Sequence, residues 1–396
     1  MSWPMVSLSR VATINPRCPK DIDENQLVSF VAMASASEEG ILLQEEIRVL
    51  GETKKGFTYF EKEDVLLAKI TPCFENGKSL RPFQISKQVG FGSTEFHVVR
   101  ADEKKLLPQY LFYLLWSNAF RFAGEHAMSG AAGQKRVGTD FLKNFEIPLP
   151  PLDEQKRIAA ILDKADAIRQ KRKQAIALAD EFLRSVFLDM FGDPVTNPKG
   201  WEVRSIRDFI TIQGGYAFKS SDFTEDGVPV VKIGNANKHG FTTKNIAFIN
   251  PENSEKLKQY ELYAGDLLMS LTGTVGKDDY GNITEVTNEF GMYYLNQRVA
   301  KITVKDSNMK SYLKFVFKHP KIKAEITKNN RGVRQANIGN SDIYCLTIPI
   351  PSNNALKIFE KIVLKARELQ TKADSFPEQS VAMFNALSQK AFSGQL

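Results

Sequence analysis

The sequence predicts a mixed α/β protein built from two tandem, similar globules and two long helices. The chain repeats itself at a distance of about 200 residues, and each half contains short β-branched runs bounded by turn residues. Each half also ends in a long stretch with a 3.5-residue apolar period, which is typical of helices that pack along a partner helix. If an approximate twofold axis relates the repeats, the two helices lie antiparallel as an intramolecular coiled coil.

The repeat is clearest where each globule ends. Ile147–Pro150 has the sequence IPLP and returns as the IPIP of Ile348–Pro351, 201 residues later. Gln134 recurs at the same spacing as Gln335. Because the features come in the same order in both halves, the chain is expected to run globule, helix, globule, helix. The predicted boundaries are residues 1–150 and 193–351 for the globules and residues 151–192 and 352–396 for the helices.

Within the globules, strand-like and helix-like segments alternate. Val65–Ile70 and Val228–Ile233 are short, rich in β-branched residues and flanked by Asp, Gly or Asn, as strands are. Pro108–Trp116 and Lys310–Phe317 have a more helical composition. A mixed α/β globule is therefore predicted in preference to a pure β-barrel.

The first long helix is predicted over Asp153–Met190. At ~1.5 Å per residue it would be about 57 Å long, which makes it a spacer. Gly192 and Pro194 provide its stop. The alternative is an ordinary helix packed on its own globule, which Arg172 in the seam and the many alanines favour. The predicted seam is Ile161, Ala165, Ile168, Ala175, Ala179, Phe182, Val186 and Met190.

The second long helix, Asn354–Phe392, is predicted to be the partner of the first. Pro377 interrupts it, because proline removes an internal hydrogen bond. Ser375 with Glu378 has the spacing of a capping box, so a bend is expected near Phe376. Its predicted seam is Ile362, Ala366, Leu369, Ala373, Phe376, Met383, Leu387 and Ala391.

Composition restricts the class of protein. A formal net charge of +7 and a pI near 9.0 make a polyanionic partner plausible. Neither a secretory signal nor a membrane-spanning apolar run is visible, so a cytoplasmic protein without membrane contact is expected. The three cysteines and four histidines have neither disulfide nor metal-site spacing, so no metal is expected.

Motifs for catalysis are missing. Ser270–Lys277 resembles a phosphate-binding loop, but Leu271 replaces a required glycine and Asp278 replaces the Ser or Thr. A turn between strands is the preferred interpretation. Since neither a nucleophile elbow nor a zinc-binding HExxH helix occurs, a non-catalytic protein is predicted.

The globules instead carry loops that mix amides, basic residues, glycines and aromatics. Arginine pairs with guanine, Asn or Gln pairs with adenine, and Lys holds phosphate. Gly133–Arg136 and Gly332–Asn337 occupy the same place in the two halves but differ in their polar residues, which favours a bipartite DNA site. The alternative for any single residue is a solvated charge or a turn-forming amide. The candidate DNA-binding residues are Lys69, Lys78, Arg81, Gln134, Lys135 and Arg136 in the first globule, and Lys219, Lys232, Asn235, Asn237, Lys238, Asn296, Arg298, Arg331, Arg334, Gln335 and Asn337 in the second.

Several segments together resemble the specificity (S) subunits of type I restriction-modification systems over the whole chain. They are Pro148–Ile158, Phe187–Pro194, Gly214–Lys219, Gly227–Pro229 and Asn296–Arg298. The resemblance implies two target-recognition domains, each reading one half of a split double-stranded DNA sequence. It also implies that two long helices set the spacing between the half-sites.

The resemblance further implies partners for this chain. Two methylation subunits would bind mainly through the helices, and restriction subunits would complete the nuclease. S-adenosylmethionine, ATP and Mg would bind to those partners, with no cofactor in this chain. The subunit-docking candidates on the first helix are Glu154, Lys156, Arg157, Lys164, Arg169 and Lys173. The alternatives are a protein- or peptide-binding adaptor scaffold and an unrecognised DNA-modifying enzyme.

Overall fold

The protein divides into two compact units. The computed structural model describes residues 3–131, 133–251, 254–329, 335–374 and 377–396. Unit 1 comprises Met1–Gln174 and Asp374–Leu396, and unit 2 comprises Ala175–Ala373. Both units mix helices and strands, which confirms the prediction of two tandem α/β domains. The unit boundaries cross the long helices, whereas the sequence-based boundaries were placed at the helix ends.

The first globule begins the chain. Its strands are β1 (Met5–Ser7), β2 (Ala12–Ile14), β3 (Leu27–Val31), β4 (Glu46–Val49), β5 (Thr58–Glu61), β6 (Val65–Ala68), β7 (Ser79–Leu80), β8 (Val89–Gly92), β9 (Phe96–Ala101) and β10 (Glu146–Pro148). Its helices are α1 (Leu50–Thr53), α2 (Pro108–Trp116), α3 (Asn118–His126) and α4 (Thr139–Asn144), with 3-10 turns at Leu8–Arg10 and Met33–Ser35.

The strands of this globule form three sheets. One has the order β4-β3-β8-β5 with β3 and β8 parallel, and another has the antiparallel order β2-β9-β6-β7. Strands β1 and β10 pair separately. All four residues of β6 are buried, because both faces of this strand are covered. A strand of that kind has a continuous apolar run instead of an alternating one.

The rest of the chain repeats this pattern after α5 (Leu152–Phe191). The strands are β11 (Glu202–Ser205), β12 (Ile210–Gly214), β13 (Phe223–Thr224), β14 (Val228–Val231), β15 (Ala236–Asn237), β16 (Gly240–Phe241), β17 (Ala247–Ile249), β18 (Glu261–Tyr263), β19 (Leu267–Ser270), β20 (Thr272–Thr274), β21 (Ile283–Glu285), β22 (Met292–Leu295), β23 (Val299–Val304), β24 (Gln335–Asn337) and β25 (Thr347–Ile350). The helices are α6 (Lys310–Lys318), α7 (Pro320–Thr327), α8 (Asn340–Tyr344), α9 (Asn353–Asp374) and α10 (Pro377–Phe392), and 3-10 turns lie at Ile206–Asp208, Ser220–Asp222, Ile233–Asn235, Ser254–Tyr260 and Ser307–Met309.

The second globule has the sheet order of the first. Strands β12-β23-β19-β21 correspond to β2-β9-β6-β7, and β17-β14-β22-β18 corresponds to β4-β3-β8-β5, with β14 and β22 parallel. Strand β13 extends the second sheet beyond β17, and β15 and β16 pair as an additional ribbon. Strands β11 and β25 repeat the pairing of β1 with β10.

A buried tyrosine in each unit donates a hydrogen bond to the repeated Ile-Pro-x-Pro segment. The buried Tyr110 hydroxyl donates to the Pro148 carbonyl at 2.9 Å, and the buried Tyr312 hydroxyl donates to the Pro349 carbonyl at 2.6 Å. Proline lacks an amide hydrogen but keeps its carbonyl acceptor. The bond therefore connects the last strand of each globule to its core helix.

Each unit also packs helix segments against its globule. In unit 1, Ile158 and Leu162 of α5 share a buried cluster with Phe384 and Ala391 of α10. In unit 2, the α5 residues Leu183, Phe187 and Phe191 share a cluster with Leu356, Phe359 and Val363 of α9. An aromatic side chain closes both clusters in the same way. Phe392 meets the Tyr110 ring edge-on at 5.5 Å, and Phe191 meets the Tyr312 ring edge-on at 5.0 Å.

The predicted phase of the helix seams was wrong at several positions. Ile168, Phe182, Leu369 and Met383 are exposed, although the heptad assignment placed them in the seams. The buried α5 positions include Ile158, Leu162, Ala165, Leu183, Phe187 and Phe191. In each unit the helix also packs on the aromatic residues of the globule, and this second contact rotates the buried stripe. The bend predicted at Phe376 and the Ser375 cap lie outside the described residues, between the end of α9 and the start of α10.

Candidate nucleic-acid interface

In unit 1 the candidate surface is the segment that leads from α3 to α4. The Val137 amide donates to the Lys69 carbonyl at 2.9 Å, and the Thr71 amide donates to the Lys135 carbonyl at 3.0 Å. These bonds fix the backbone of the segment beside the end of β6. The side chains of Gln134 and Lys135 are exposed. The sequence thus places two polar side chains in solvent on a backbone that is itself well anchored.

A buried histidine supports this segment from below. Burial lowers the pKa of His97, so its ring is neutral at pH 7. His97 Nε2 lies 2.8 Å from the Val137 carbonyl and Nδ1 lies 3.2 Å from Asn15 Nδ2. A carbonyl only accepts, so the hydrogen is on Nε2, and Nδ1 accepts from the amide. The histidine is therefore a structural support of the surface and is not part of it.

Arg136 is the most completely positioned side chain of the surface. Its Nε and Nη2 donate to the two carboxylate oxygens of Glu95 at 3.0 and 2.9 Å, and its Nη1 donates to the Gln134 carbonyl at 3.0 Å. These hydrogen bonds lower the pKa of Glu95 and raise the pKa of Arg136. The Arg136 side chain is still 42% exposed. The guanidinium group is thus held in one orientation and remains accessible.

In unit 2 the equivalent surface is a two-stranded ladder. Strand β24 pairs antiparallel with β20, so that Asn337 lies opposite Thr272 and Gln335 lies opposite Thr274. Gln335 and Asn337 are exposed, whereas Ala336 between them is buried. Successive side chains of a strand point to opposite faces. Gln335, Asn337 and Thr274 are therefore exposed polar residues on one face of the ladder, whereas the hydroxyl of Thr272 on the same face is buried.

Backbone pairing shows which positions of the two surfaces correspond. The Lys69 amide donates to the Glu95 carbonyl, and the Leu271 amide donates to the Arg298 carbonyl, both at 2.9 Å. Arg136 bridges to Ile70 as Asn337 bridges to Thr272. The corresponding pairs are therefore Gln134 with Gln335, Arg136 with Asn337, and Glu95 with Arg298.

Five of the predicted DNA-contacting residues have inward-facing roles. Arg81 is 16% exposed and binds the Asp166 carboxylate and the Glu39 carbonyl. Asn235 is 3% exposed and holds its own loop through the Lys232 amide and the Thr242 carbonyl. Asn296 is also buried. Lys78 donates to the Met33 carbonyl, and the Lys232 ammonium lies 3.6 Å from the centre of the Phe223 ring. The polar groups of Arg81, Asn235 and Asn296 are enclosed by the fold, so we remove these three from the candidate surface, whereas the half-buried Lys78 and Lys232 remain candidates.

The remaining candidates differ in exposure. Lys219, Lys238 and Arg298 are exposed, Lys69 is half-buried, and Asn237 is occupied in a turn through the Gly234 carbonyl and the His239 amide. Arg331 and Arg334 lie outside the described residues. The sequence did not point to Glu95, Thr272 or Thr274, because two are short hydroxyl residues and the third is acidic. Transferring the repeat register onto these positions would have found them.

The docking candidates on α5 separate into two groups. Lys156 and Lys164 are exposed, and Arg157 pairs with Glu154 at 2.6 Å at the surface. Arg169 instead faces unit 1, where it binds Asp166 at 2.7 Å and lies over the Trp116 ring. Lys173 pairs with Glu39 at 2.5 Å. We therefore keep the first four residues as docking candidates and assign Arg169 to the interior of unit 1.

The described part of the chain can also be compared with metal-binding and membrane-spanning proteins. Within it, His, Cys, Asp and Glu residues do not form a group of three placed to hold a metal ion. Its helices also lack an apolar stretch long enough to cross a bilayer.

Comparison with known proteins identifies the family. The profile described as the type I restriction modification DNA specificity domain matches residues 2–178 and 198–365. The Escherichia coli EcoEI specificity subunit is 43% identical over 164 residues, which cover 41% of this chain and 27% of that subunit. The chain thus spans about a quarter of that relative. The MjaVIII specificity subunit of Methanocaldococcus jannaschii is 23% identical over 361 residues, covering 85% and 83% of the two chains.

Solved structures share the fold. The S subunit of a type I restriction-modification system from M. genitalium has a TM-score of 0.58 at 13% identity, covering 98% of this chain and 96% of that one. A chain from a structural study of type I system assembly has a TM-score of 0.51 at 18% identity, covering 100% and 98%. With the match of the family profile to both halves, these findings show that the chain belongs to the specificity-subunit family of type I restriction-modification systems.

Proposed function

We propose that this chain is the non-catalytic DNA-recognition subunit of a type I restriction-modification complex, and that each unit reads one half of a bipartite double-stranded target. One observation carries the proposal. The same backbone positions in the two units present different polar side chains, with Arg136 in one and Asn337 in the other. Since arginine prefers guanine and asparagine prefers adenine, one scaffold with two different surfaces is suited to a target with two unlike halves.

The side chains can be assigned by chemistry. Gln134 and Arg136 read bases for unit 1, and Gln335 and Asn337 do so for unit 2, with Thr274 beside them. Lys69, Lys135, Lys219 and Lys238 have the point charge that suits phosphate oxygens. Arg298 completes the surface of unit 2.

The helices supply the second part of the proposal. The segments of α5, α9 and α10 form an antiparallel pair that sets the distance between the half-sites. Two methylation subunits dock on the exposed helix faces, where Glu154, Lys156, Arg157 and Lys164 lie. Restriction subunits join that assembly. S-adenosylmethionine, ATP and Mg bind to the partner subunits, and the chemistry takes place there.

The test uses the chain in complex with its methylation subunits. Replacing Gln134 and Arg136 by alanine is expected to change the methylated sequence in one half-site, and replacing Gln335 and Asn337 is expected to change the other. Methylome sequencing measures both results. Arg48→Ala is a matched control, because Arg48 is also a partly exposed arginine of unit 1 paired with a carboxylate, Glu46 at 2.7 Å. A change in both half-sites after either double substitution would contradict independent reading.

Two further measurements separate the alternatives. A DNA reader that contacts phosphates loses affinity steeply as salt rises, whereas a peptide-binding adaptor does not. DNA cleavage or methyl transfer by the purified chain without partner subunits would contradict the non-catalytic assignment.

A further inference from the structure

A carboxylate beside the unit 1 surface has no counterpart in unit 2. Glu95 precedes β9, and its backbone is fixed because its carbonyl accepts from the Lys69 amide at 2.9 Å and its amide donates to Ser93 Oγ at 3.2 Å. Its side chain is 28% exposed and grips Arg136 through two parallel hydrogen bonds. A planar fork of this kind is the strongest geometry that an arginine and a carboxylate can form.

The fork leaves one edge of the guanidinium group available. The carboxylate occupies a hydrogen of Nε and one of Nη2, and the Gln134 carbonyl occupies one of Nη1. Each Nη atom carries two hydrogens, so one remains on each. Both remaining hydrogens lie on the side of the group that Glu95 does not occupy. Guanine presents two acceptors, O6 and N7, to a donor pair of this kind.

The orientation has a consequence for specificity. An unrestrained arginine can turn from a base to a neighbouring phosphate, and it loses conformational entropy whenever it is fixed. Glu95 removes that freedom before DNA arrives. Its negative charge also disfavours a phosphate close to the guanidinium group, because like charges repel.

Unit 2 shows the same positions without the support. Arg298 occupies the place of Glu95, and Asn337 occupies the place of Arg136, so a carboxylate is not present at this position. The Arg298 side chain is exposed. The two units therefore present a supported arginine in one case and an amide beside an arginine in the other.

We propose that Glu95 is a positioning residue that holds Arg136 for guanine recognition in one half-site. This inference rests on the proposed DNA-reading function. Glu95 itself does not touch DNA in this arrangement. Without it, Arg136 still binds, but as a mobile cation that contacts phosphate as readily as a base.

The experiment compares Glu95→Gln with Arg136→Ala in the complex with methylation subunits. Affinity is measured for the cognate duplex and for duplexes with one base pair of the half-site changed at a time. Arg136→Ala is expected to reduce cognate affinity by about 10-fold or more and to abolish discrimination at one guanine, as expected for a bidentate pair. Glu95→Gln is expected to keep cognate affinity within ~3-fold but to reduce discrimination at that same guanine by about 10-fold.

Salt dependence provides a readout that a merely structural role would not change. If Arg136 moves to a phosphate in the Glu95→Gln variant, the slope of log affinity against log salt becomes steeper by about one phosphate contact. Glu46→Gln is the matched control, because Glu46 forms the same kind of pair with Arg48 within β4, away from Glu95. This variant is expected to leave both discrimination and slope unchanged.

The outcomes separate the two proposals. If Arg136→Ala leaves DNA binding and discrimination intact, the proposed reading surface of unit 1 is wrong. If Arg136→Ala has its expected effect but Glu95→Gln keeps full discrimination and an unchanged slope, only the positioning role is overturned. Loss of discrimination at a different base pair in the Glu95→Gln variant would also overturn it.

Discussion

An ion cluster between the first globule and α5 gives a quantitative prediction about the stability of unit 1. The Asp166 carboxylate is 1% exposed and accepts hydrogen bonds from Arg81, from Arg169 at 2.7 and 2.9 Å and from Gln170 at 2.7 Å. Asp166→Ala leaves two largely buried guanidinium groups without this carboxylate. Removing one partner of a buried ion pair costs about 3–5 kcal/mol, so we expect the free energy of unfolding of unit 1 to fall by about 4 kcal/mol.

Hydrogen exchange measures this loss in the full chain. Amides of α2 lie in the core of unit 1, and amides of α6 lie in the core of unit 2, so peptides from the two helices report the two units separately. A loss of about 4 kcal/mol accelerates exchange roughly 1000-fold in α2, since ~1.4 kcal/mol corresponds to a factor of ten. Exchange in α6 is expected to stay within about threefold of its original rate.

A neighbouring carboxylate provides the control. Asp163 accepts from the Tyr113 hydroxyl at 2.6 Å but lies at the surface of the same helix, so Asp163→Ala is expected to cost only about 1 kcal/mol. The reasoning about the buried cluster is refuted if Asp166→Ala destabilises unit 1 no more than Asp163→Ala does.

Two other predictions concern unit 2 and the helices. Burial disfavours the charged form of Glu285, but the cations of Lys314 and Arg367 outweigh this effect and lower its pKa from 4.5 to about 2. The lowered pKa stabilises unit 2 above about pH 4.5 by about 3 kcal/mol, and this contribution is lost as the pH falls towards 2. Acid unfolding of the wild type and of Glu285→Gln checks this prediction, which fails if the stability difference does not change with pH. Deleting one heptad from each long helix, residues 174–180 and 368–374, removes about 10 Å and is expected to shorten the spacer of the DNA target by roughly three base pairs. Methylome sequencing of such a variant would exclude the spacing role if the spacer is unchanged.

Much of the architecture could be predicted because the repeat constrains it. A shift of 201 residues aligned the Ile-Pro-x-Pro exits, and these exits accept equivalent tyrosine hydrogen bonds in the two units. The phase of the long helices could not be predicted in the same way. Both faces of α5 carry apolar residues. Only the contact with the aromatic residues of α2 in unit 1 and α6 in unit 2 determines which face is buried.

The candidate site was predicted in outline but not in its composition. Arg81 and Asn235 have the side chains of DNA-contacting residues, yet their hydrogen bonds are satisfied inside the fold. Residue type states which bonds a side chain can form, but only the fold decides which partner is nearest. Glu95 was missed for a different reason: an acidic residue type does not suggest a DNA contact, and its hydrogen bonds with Arg136 follow only from the fold.

The ion pairs between each globule and its helix segment also occupy equivalent positions in the two units. Leu80 pairs with Leu66 of β6, and Thr284 pairs with Leu268 at the equivalent place in β19. The next residues, Arg81 of unit 1 and Glu285 of unit 2, therefore correspond. Asp166 corresponds to Arg367, 201 residues later, and Glu285 pairs with Arg367 at 2.8 Å. The pair is therefore kept in place and reversed in sign. Each globule matches its own helix segment electrostatically, and exchange of the segments would place like charges together in both units.

In the two candidate surfaces, unlike these ion pairs, the groups that hold the backbone are separate from the exposed polar side chains. Val137 and Ile338 are buried, and their amides donate to the equivalent carbonyls of Lys69 and Leu271 at 2.9 and 2.8 Å. These anchors hold the backbone. The side chains of Gln134, Arg136 and Asn337 project from it. Substitution of an exposed strand residue costs little folding free energy when the anchors stay in place. The fold can therefore accept different side chains at these positions, because the groups that stabilise the surface are not the exposed polar groups.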